Sequence, residues 1–126
     1  MISGAVSGNA AEARVDVAVR GPAGAARSIS AVIDTGFTDQ LTLPSSLVAE
    51  LSLLPVARQH AVLADGTLVV VNVHQAEVIW DGGIREVSVL ATQGTPLVGM
   101  ALLHGYRLGV DVVAGGSVQI SALGTT

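Results

Sequence analysis

The sequence predicts one all-β domain, closed into a barrel or folded as a sandwich, with one or two short helices. Three observations predict this class. Apolar and polar residues alternate along several short stretches, which is the pattern of half-buried strands. Asp-Gly and Gly-Gly pairs separate those stretches, and such pairs are hairpin turn signals. No repeat and no low-complexity linker divides the 126 residues, so a single domain over residues 1–126 is expected.

Composition limits the possible functions. Half of the residues are apolar, 13% are charged and the mean hydropathy is +0.63, which excludes a disordered chain. There is no cysteine, so a disulfide framework, a thiol nucleophile and a Cys-ligated zinc are excluded. The net charge is −4 and the six arginines are scattered singly, so neither nucleic acid nor a membrane surface is an expected partner. No export signal is visible, and a cytoplasmic protein is expected.

The first half of the chain predicts two strands, a third short strand and a helix. The strands alternate apolar and polar residues, and Gly21-Pro22-Ala23-Gly24 forms a turn between the first two. A proline ends the third strand, and a serine is expected to cap the helix that follows, which Pro55 then closes. The predicted strands cover Glu12 to Arg20, Ser28 to Ile33 and Leu41 to Leu43, and the predicted helix covers Ser45 to Leu51.

The second half predicts further strands joined by tight turns. Asp65-Gly66 and Asp81-Gly82-Gly83 are the strongest hairpin signals in the chain. A short strand ending at Gly99 leads into a helical turn over Met100 to His104. The remaining predicted strands cover Ala57 to Ala64, Thr67 to Trp80, Ile84 to Ala91, Tyr106 to Val113 and Ser117 to Ser121.

Most catalytic arrangements are missing from the sequence. The three histidines, His60, His74 and His104, lie far apart and lack a metal-ligand spacing. There is no nucleophile elbow of the G-x-S-x-G type, and no glycine-rich loop leads into a helix as phosphate loops do. No metal and no cofactor are therefore expected.

The tripeptide Asp34-Thr35-Gly36 is the candidate for chemistry. An apolar strand delivers the aspartate to its C-terminal end, and the next two residues supply a hydroxyl and a backbone N–H that can bind carboxylates. Further along, Leu97-Val98-Gly99 supplies two apolar residues and a glycine ahead of a helix. The plain alternative for Asp34 is a strand-end residue that forms a turn with Gly36.

This combination resembles the retroviral-type (retropepsin-like) aspartic proteases, in particular their small bacterial single-domain members. The resemblance covers nearly the whole chain. It is carried by Ala31-Val32-Ile33-Asp34-Thr35-Gly36 and by the block PLVGMALLHGYRLGVDVVAGGSVQI. It implies a retropepsin-like acid protease barrel in which Asp34, Thr35 and Gly36 are the catalytic residues.

The resemblance also implies positions that would bind substrate. Phe37, Thr38 and Asp39 follow the triad, where the family contacts the substrate backbone. Asp65 and Gly66 would form the tip of the hairpin that closes over substrate, although a plain turn explains them equally well. Gly99 would lie beneath the active-site loop. The family usually has Ala or Ser where this chain has Phe37, and an aromatic ring near the cleft would change the size of the pocket.

The resemblance further implies a homodimer that hydrolyses an extended peptide or protein substrate. Hydrolysis by this class needs two carboxylates, and one chain supplies only Asp34, so the second must come from another copy. The chain ends, Met1 to Ser7 and Val118 to Ser121, are expected to interleave between the two subunits, as they do in the family. A non-catalytic dimeric module that binds an extended peptide is the alternative, and the intact triad favours the enzyme. A protease that acts on a single dedicated partner also fits the sequence.

Overall fold

The computed structural model describes residues 1–124, and these form ten strands and two short helices. The all-β class is confirmed. Within the described residues, no helix has the length and apolar character needed to cross a membrane. The strands are β1 (Ile2–Val6), β2 (Ala13–Arg20), β3 (Ala26–Ile33), β4 (Leu41–Pro44), β5 (Leu54–Val62), β6 (Leu68–Trp80), β7 (Gly83–Thr92), β8 (Leu97–Val98), β9 (Tyr106–Val110) and β10 (Ser117–Ala122), and the helices are α1 (Ser45–Glu50) and α2 (Met100–Leu103).

All ten strands belong to one sheet that bends back on itself. Their order is β5-β6-β7-β4-β8-β3-β2-β1-β10-β9, and β2 also pairs with β6. That extra pairing covers only Ala18↔Ile79, Val19↔Val78 and Arg20↔Glu77. Because of it, six strands follow one another around a ring, in the order β2, β3, β8, β4, β7 and β6. From this ring β1, β10 and β9 extend beyond β2, and β5 extends beyond β6.

The core is built from small aliphatic side chains, as the composition predicts. In β2 the three valines Val15, Val17 and Val19 are buried while Asp16 is exposed, which confirms the expected alternation. Trp80 is 5% exposed and meets the ring of Tyr106 edge-on, with centroids 6.0 Å apart. The single tryptophan therefore belongs to the core.

Both predicted hairpins form. In the turn between β6 and β7, Asp81 and Gly82 have φ angles of 52° and 81°, as a two-residue hairpin turn of the favoured handedness requires. Between β5 and β6, Gly66 has a φ of 86° at the left-handed position of a longer loop. Local turn chemistry alone determines both hairpins.

The boundary predicted at Pro55 is wrong. Pro55 does not end the helical segment, because it lies inside β5, which begins at Leu54. A proline has no N–H to donate, so it is tolerated in a strand mainly at sheet edges and bulges. β5 is the edge strand of the sheet, and its pairing shifts register between Pro55 and Ala57.

Two other local predictions fail for tertiary reasons. Ser45 does not cap α1, since no side-chain capping bond forms there; its Oγ donates instead to the carbonyl oxygen of Thr92 at 3.3 Å. The strand predicted to reach Val113 ends at Val110, because the chain turns there and the Val113 N–H donates to the carbonyl of Asp111.

The two ends of the chain pair with each other. In the pairing of β1 with β10, Ile2 lies opposite Ile120 and Ala5 lies opposite Ser117. β1 also pairs with β2, and β10 with β9. Both strands therefore have backbone partners within their own chain, and the interleaving between subunits stays a prediction.

Candidate active site

Asp34 stands at the end of a strand that a second, distant segment supports. The short strand β8 lies between β3 and β4, parallel to the first and antiparallel to the second. In this arrangement Val98 faces Ile33 on one side and Leu41 on the other. The backbone N–H of Asp34 donates to the carbonyl oxygen of Val98 at 2.9 Å, which fixes the start of the active-site loop, residues 34–40.

A tight turn holds the Asp34 carboxylate at the surface. The Gly36 N–H donates to its Oδ1 at 2.9 Å, and the Phe37 N–H donates to the Asp34 carbonyl oxygen at 3.1 Å. Asp34 is half-buried, whereas Thr35 and Gly36 are exposed. Within residues 1–124 no other hydrogen bond reaches this carboxylate. It is therefore accessible to a group from another molecule.

Gly99 supports the loop from below. A Cβ at this position would lie 2.2 Å from the Asp39 carbonyl oxygen and 2.5 Å from Phe37 Cδ2, so only glycine fits. The Gly99 N–H donates to the Gln40 carbonyl oxygen at 3.0 Å, and the Met100 N–H donates to that of Phe37 at 2.8 Å. Gly99 is buried beneath the loop, and a role in substrate binding stays a prediction.

Phe37 occupies the space that Gly99 leaves. Its ring packs against Gly99 and is half-buried. Part of the ring is therefore covered by the chain itself, whereas the sequence analysis expected the ring to lie near the cleft. The bulky residue after the triad and the missing side chain beneath it are complementary in shape. Thr38 is exposed and Asp39 is half-buried beside it.

Three polar contacts around the loop were not predicted. The hydroxyl of Thr42, the one polar side chain buried in the core of residues 1–124, accepts the Leu97 N–H at 2.9 Å. The Gln40 side-chain oxygen accepts the Ser88 N–H at 2.8 Å. Gln59 in β5 donates through Nε2 to Asp39 Oδ2 at 3.0 Å. The sequence offered one weak signal for them, the threonine between two apolar residues in Leu41-Thr42-Leu43.

The predicted hairpin tip is present and fully exposed. The Leu63 N–H donates to the Thr67 carbonyl at 2.8 Å, and the Gly66 N–H donates to the Leu63 carbonyl at 2.9 Å. The Thr67 N–H donates to Asp65 Oδ1 at 2.9 Å. Hydrogen bonds from Thr67 hold the pKa of the Asp65 carboxyl below its ordinary value. Asp65 and Gly66 therefore build the turn itself.

The hairpin borders a groove that has an apolar wall. The groove has a volume of about 490 Å³ and separates Leu63, Val69 and Val71 of the hairpin from Thr92 and Gln93 at the end of β7. Asp34 does not line it. The hairpin also exposes several large apolar side chains, and Val62 is 71% exposed. Such a surface is suited to covering by another chain.

Across residues 1–124, no three His, Asp or Glu side chains are grouped so that they could hold a metal ion. No protein-family model matches the chain, and comparison with curated proteins also gives no match. The functional interpretation therefore depends on the residues and their geometry.

Proposed function

We propose that the chain is a retropepsin-like aspartic endopeptidase that acts as a homodimer. The observation that supports this most strongly is the support of Asp34 by β8. An aspartate at a strand end, bound by the Gly36 N–H and tied to Val98 above a glycine that admits no side chain, has the local geometry that such catalysis needs. A surface turn without catalytic function would not require support from a two-residue strand whose Val98 is fully buried.

The second carboxylate of the site comes from a second copy. Asp34-Thr35-Gly36 is the only Asp-Thr-Gly in the sequence, and peptide hydrolysis by paired aspartates needs two. The exposure of Thr35 and Gly36 supports a dimer in which the two loops meet at a two-fold axis. Such an interface is isologous, so each chain contributes the same loop.

The reaction is general acid–base hydrolysis. One Asp34 carboxylate is ionised and takes a proton from a water molecule as its oxygen attacks the scissile carbonyl carbon. The other Asp34 is protonated, donates a hydrogen bond to the carbonyl oxygen and so stabilises the tetrahedral intermediate. Collapse of the intermediate re-forms the carbonyl group and breaks the C–N bond, and the departing amine takes up the proton that Asp34 removed from water.

The substrate is an extended peptide that lies between the active-site loops and the hairpins. β5 pairs with another strand along one edge only, so its free backbone groups can bind an added strand. Most hairpin residues that line the groove are apolar, among them Leu63, Val69 and Val71, and Asn72 is the polar one; this lining favours substrates with apolar side chains near the cleavage site.

A non-catalytic peptide-binding module is the second candidate. The observation that favours it is that the groove beside the hairpin does not reach Asp34 within one chain. In such a module, binding of an extended peptide would not depend on the charge of Asp34.

One comparison separates the two. The purified protein is incubated with a diverse peptide mixture from about pH 3 to about pH 7, and products are read by mass spectrometry beside an Asp34→Asn variant. Asparagine keeps the size of the side chain and still accepts the Gly36 N–H, but it cannot take up or give a proton in the reaction. We expect cleavage by the wild type with a bell-shaped pH dependence, and none by the variant. Peptide binding without cleavage, equal in both proteins, would favour the module.

A further inference from the structure

We infer that Gln59 is a positioning residue that latches the hairpin to the active-site loop through Asp39. The catalytic consequence of this latch rests on the proposed peptidase function, whereas the latch itself does not. The relevant part of the hairpin, called the arm below, is residues 58–72.

The arm has few contacts with the rest of the chain. The pairing of β6 with β7 begins at Val73↔Leu90, so the part of β6 before Val73 pairs with β5 alone. β5 in turn pairs with no other strand. On the β7 side, the groove of about 490 Å³ separates the arm from the end of β7. The arm can therefore move about its base near Val73.

Gln59 is the polar exception on the inner face of the arm. It is half-buried between exposed Arg58 and His60, so its side chain points toward the body of the domain. Its neighbours on that face are aliphatic, since Ala61 lies opposite Val69 and Gln59 itself lies opposite Val71. Among the described residues, its bond to Asp39 is the one side-chain hydrogen bond that joins the arm to the body.

Asp39 is a fixed anchor for this bond. Its carbonyl oxygen accepts the Ala101 N–H at 3.2 Å and lies against Gly99 with no room for a side chain between them. Asp39 is therefore tied to Gly99 and α2 directly after β8, and Val98 of β8 accepts the backbone N–H of Asp34. A hydrogen bond to a charged carboxylate is stronger than one between neutral groups, which suits a single latch. While the bond is intact, the inner face of the arm keeps a fixed height above the active-site loop.

Substrate must pass beneath the arm, so the latch has to open and close in each catalytic cycle. Closure then contributes to substrate binding more than to the chemical step, because Gln59 is not among the groups that exchange protons. Loss of the latch is expected to raise KM and to change kcat much less.

Hydrogen exchange tests the latch without reference to activity. Four proteins are compared: the wild type, Gln59→Ala, Asp39→Ala and the double variant. We expect amides that bond across the hairpin, such as those of Ala61 and Val69, to exchange about 5- to 10-fold faster in each single variant. The double variant should be no faster than either single one, because both remove the same bond.

The matched control is Arg58→Ala, which also places alanine in β5 but on the outer face. Two results would overturn the latch. In the first, the arm amides of Gln59→Ala exchange at the rate of this control. In the second, the effects of the two single substitutions on exchange add up in the double variant. Asp39→Asn keeps a weaker acceptor for the Gln59 amide, so the exchange rate of the arm amides in this variant should lie between those of the wild type and Asp39→Ala. If Asp39→Ala folds poorly, Asp39→Asn tests the same bond.

Peptidase kinetics then test the positioning role. We expect Gln59→Ala to raise KM several-fold with kcat within about two-fold of the wild type. Faster exchange with an unchanged KM would refute positioning. If the wild type cleaves no peptide, the proposed function fails, and the exchange measurement still decides whether the latch exists.

Discussion

The backbone N–H of Asp34 donates a hydrogen bond to the carbonyl oxygen of Val98 at 2.9 Å. This bond joins the candidate catalytic aspartate to a two-residue strand that comes from late in the sequence. The position of the Asp34 carboxylate therefore depends on how β8 is held between β3 and β4, and on the space above Gly99.

Gly99→Ala should damage the site through the backbone. The added methyl group would lie 2.2 Å from the Asp39 carbonyl oxygen, so the loop or α2 must shift. We expect the free energy of unfolding to fall by about 3 kcal/mol, measured by chemical denaturation. Gly94→Ala is the control, because a Cβ there meets nothing within 4 Å, and it should change stability by less than about 0.5 kcal/mol. Equal effects of the two substitutions would show that Gly99 does not support the loop.

Thr42→Val should destabilise the centre of the sheet. It removes the hydroxyl that accepts the Leu97 N–H and leaves that buried donor without a partner. The expected loss is about 1–3 kcal/mol in the free energy of unfolding, with faster amide exchange at Leu97. Thr42→Ser keeps the hydroxyl and should preserve the protection of that amide. A valine variant as stable as the wild type would contradict the assigned role of the hydroxyl.

Gly66→Val should strain the hairpin tip without a steric clash. The φ of Gly66 is 86°, and a Cβ there would meet nothing within 4 Å. The cost in free energy therefore comes from the left-handed backbone conformation, which valine adopts at a cost of about 1–2 kcal/mol. Because the tip is exposed, we expect faster amide exchange in the arm and little change in global stability. Asparagine tolerates this conformation, so Gly66→Asn should have a smaller effect. The prediction fails if the valine variant shows wild-type exchange throughout the arm.

The Asp65 carboxyl should titrate below its ordinary pKa of 3.8. The side-chain hydrogen bond from Thr67 is the largest cause, so Thr67→Val should raise that pKa toward 3.8. Because the folded-state pKa is lowered, the ionised carboxylate stabilises the tip above pH 3.8, and this contribution is lost as the pH falls through the lowered pKa. Carbon-13 NMR of the carboxyl group measures both midpoints. A wild-type midpoint at or above 3.8 would contradict this assignment.

The sequence predicted those features of the fold that residues close together in the chain determine. Asp65-Gly66 and Asp81-Gly82 specify their turns through residues that adopt positive φ, so both hairpins could be placed before the structure. The alternation of β2 identified its buried valines for the same reason. The position of Asp34 at the end of a strand was likewise visible in the run of apolar residues before it.

Features that depend on distant partners could not be predicted. The sequence around Pro55 predicts a stop, because nothing in that segment shows that β5 is an edge strand. A serine at the start of α1 predicts a cap, but Ser45 binds the Thr92 carbonyl, which comes from another strand. The bond between Gln59 and Asp39 has no sequence pattern, since it depends on how the arm lies over the loop.

The central claim is that two copies of Asp34 form one site, and mixed dimers test it most directly. Wild-type and Asp34→Asn chains are mixed in equal amounts, allowed to exchange subunits, and assayed for peptide cleavage. If both carboxylates are required, only wild-type pairs are active, and activity per total chain falls to about a quarter of that of the unmixed wild type. A fall to about one half would mean that each chain carries a complete site, which would contradict the shared site.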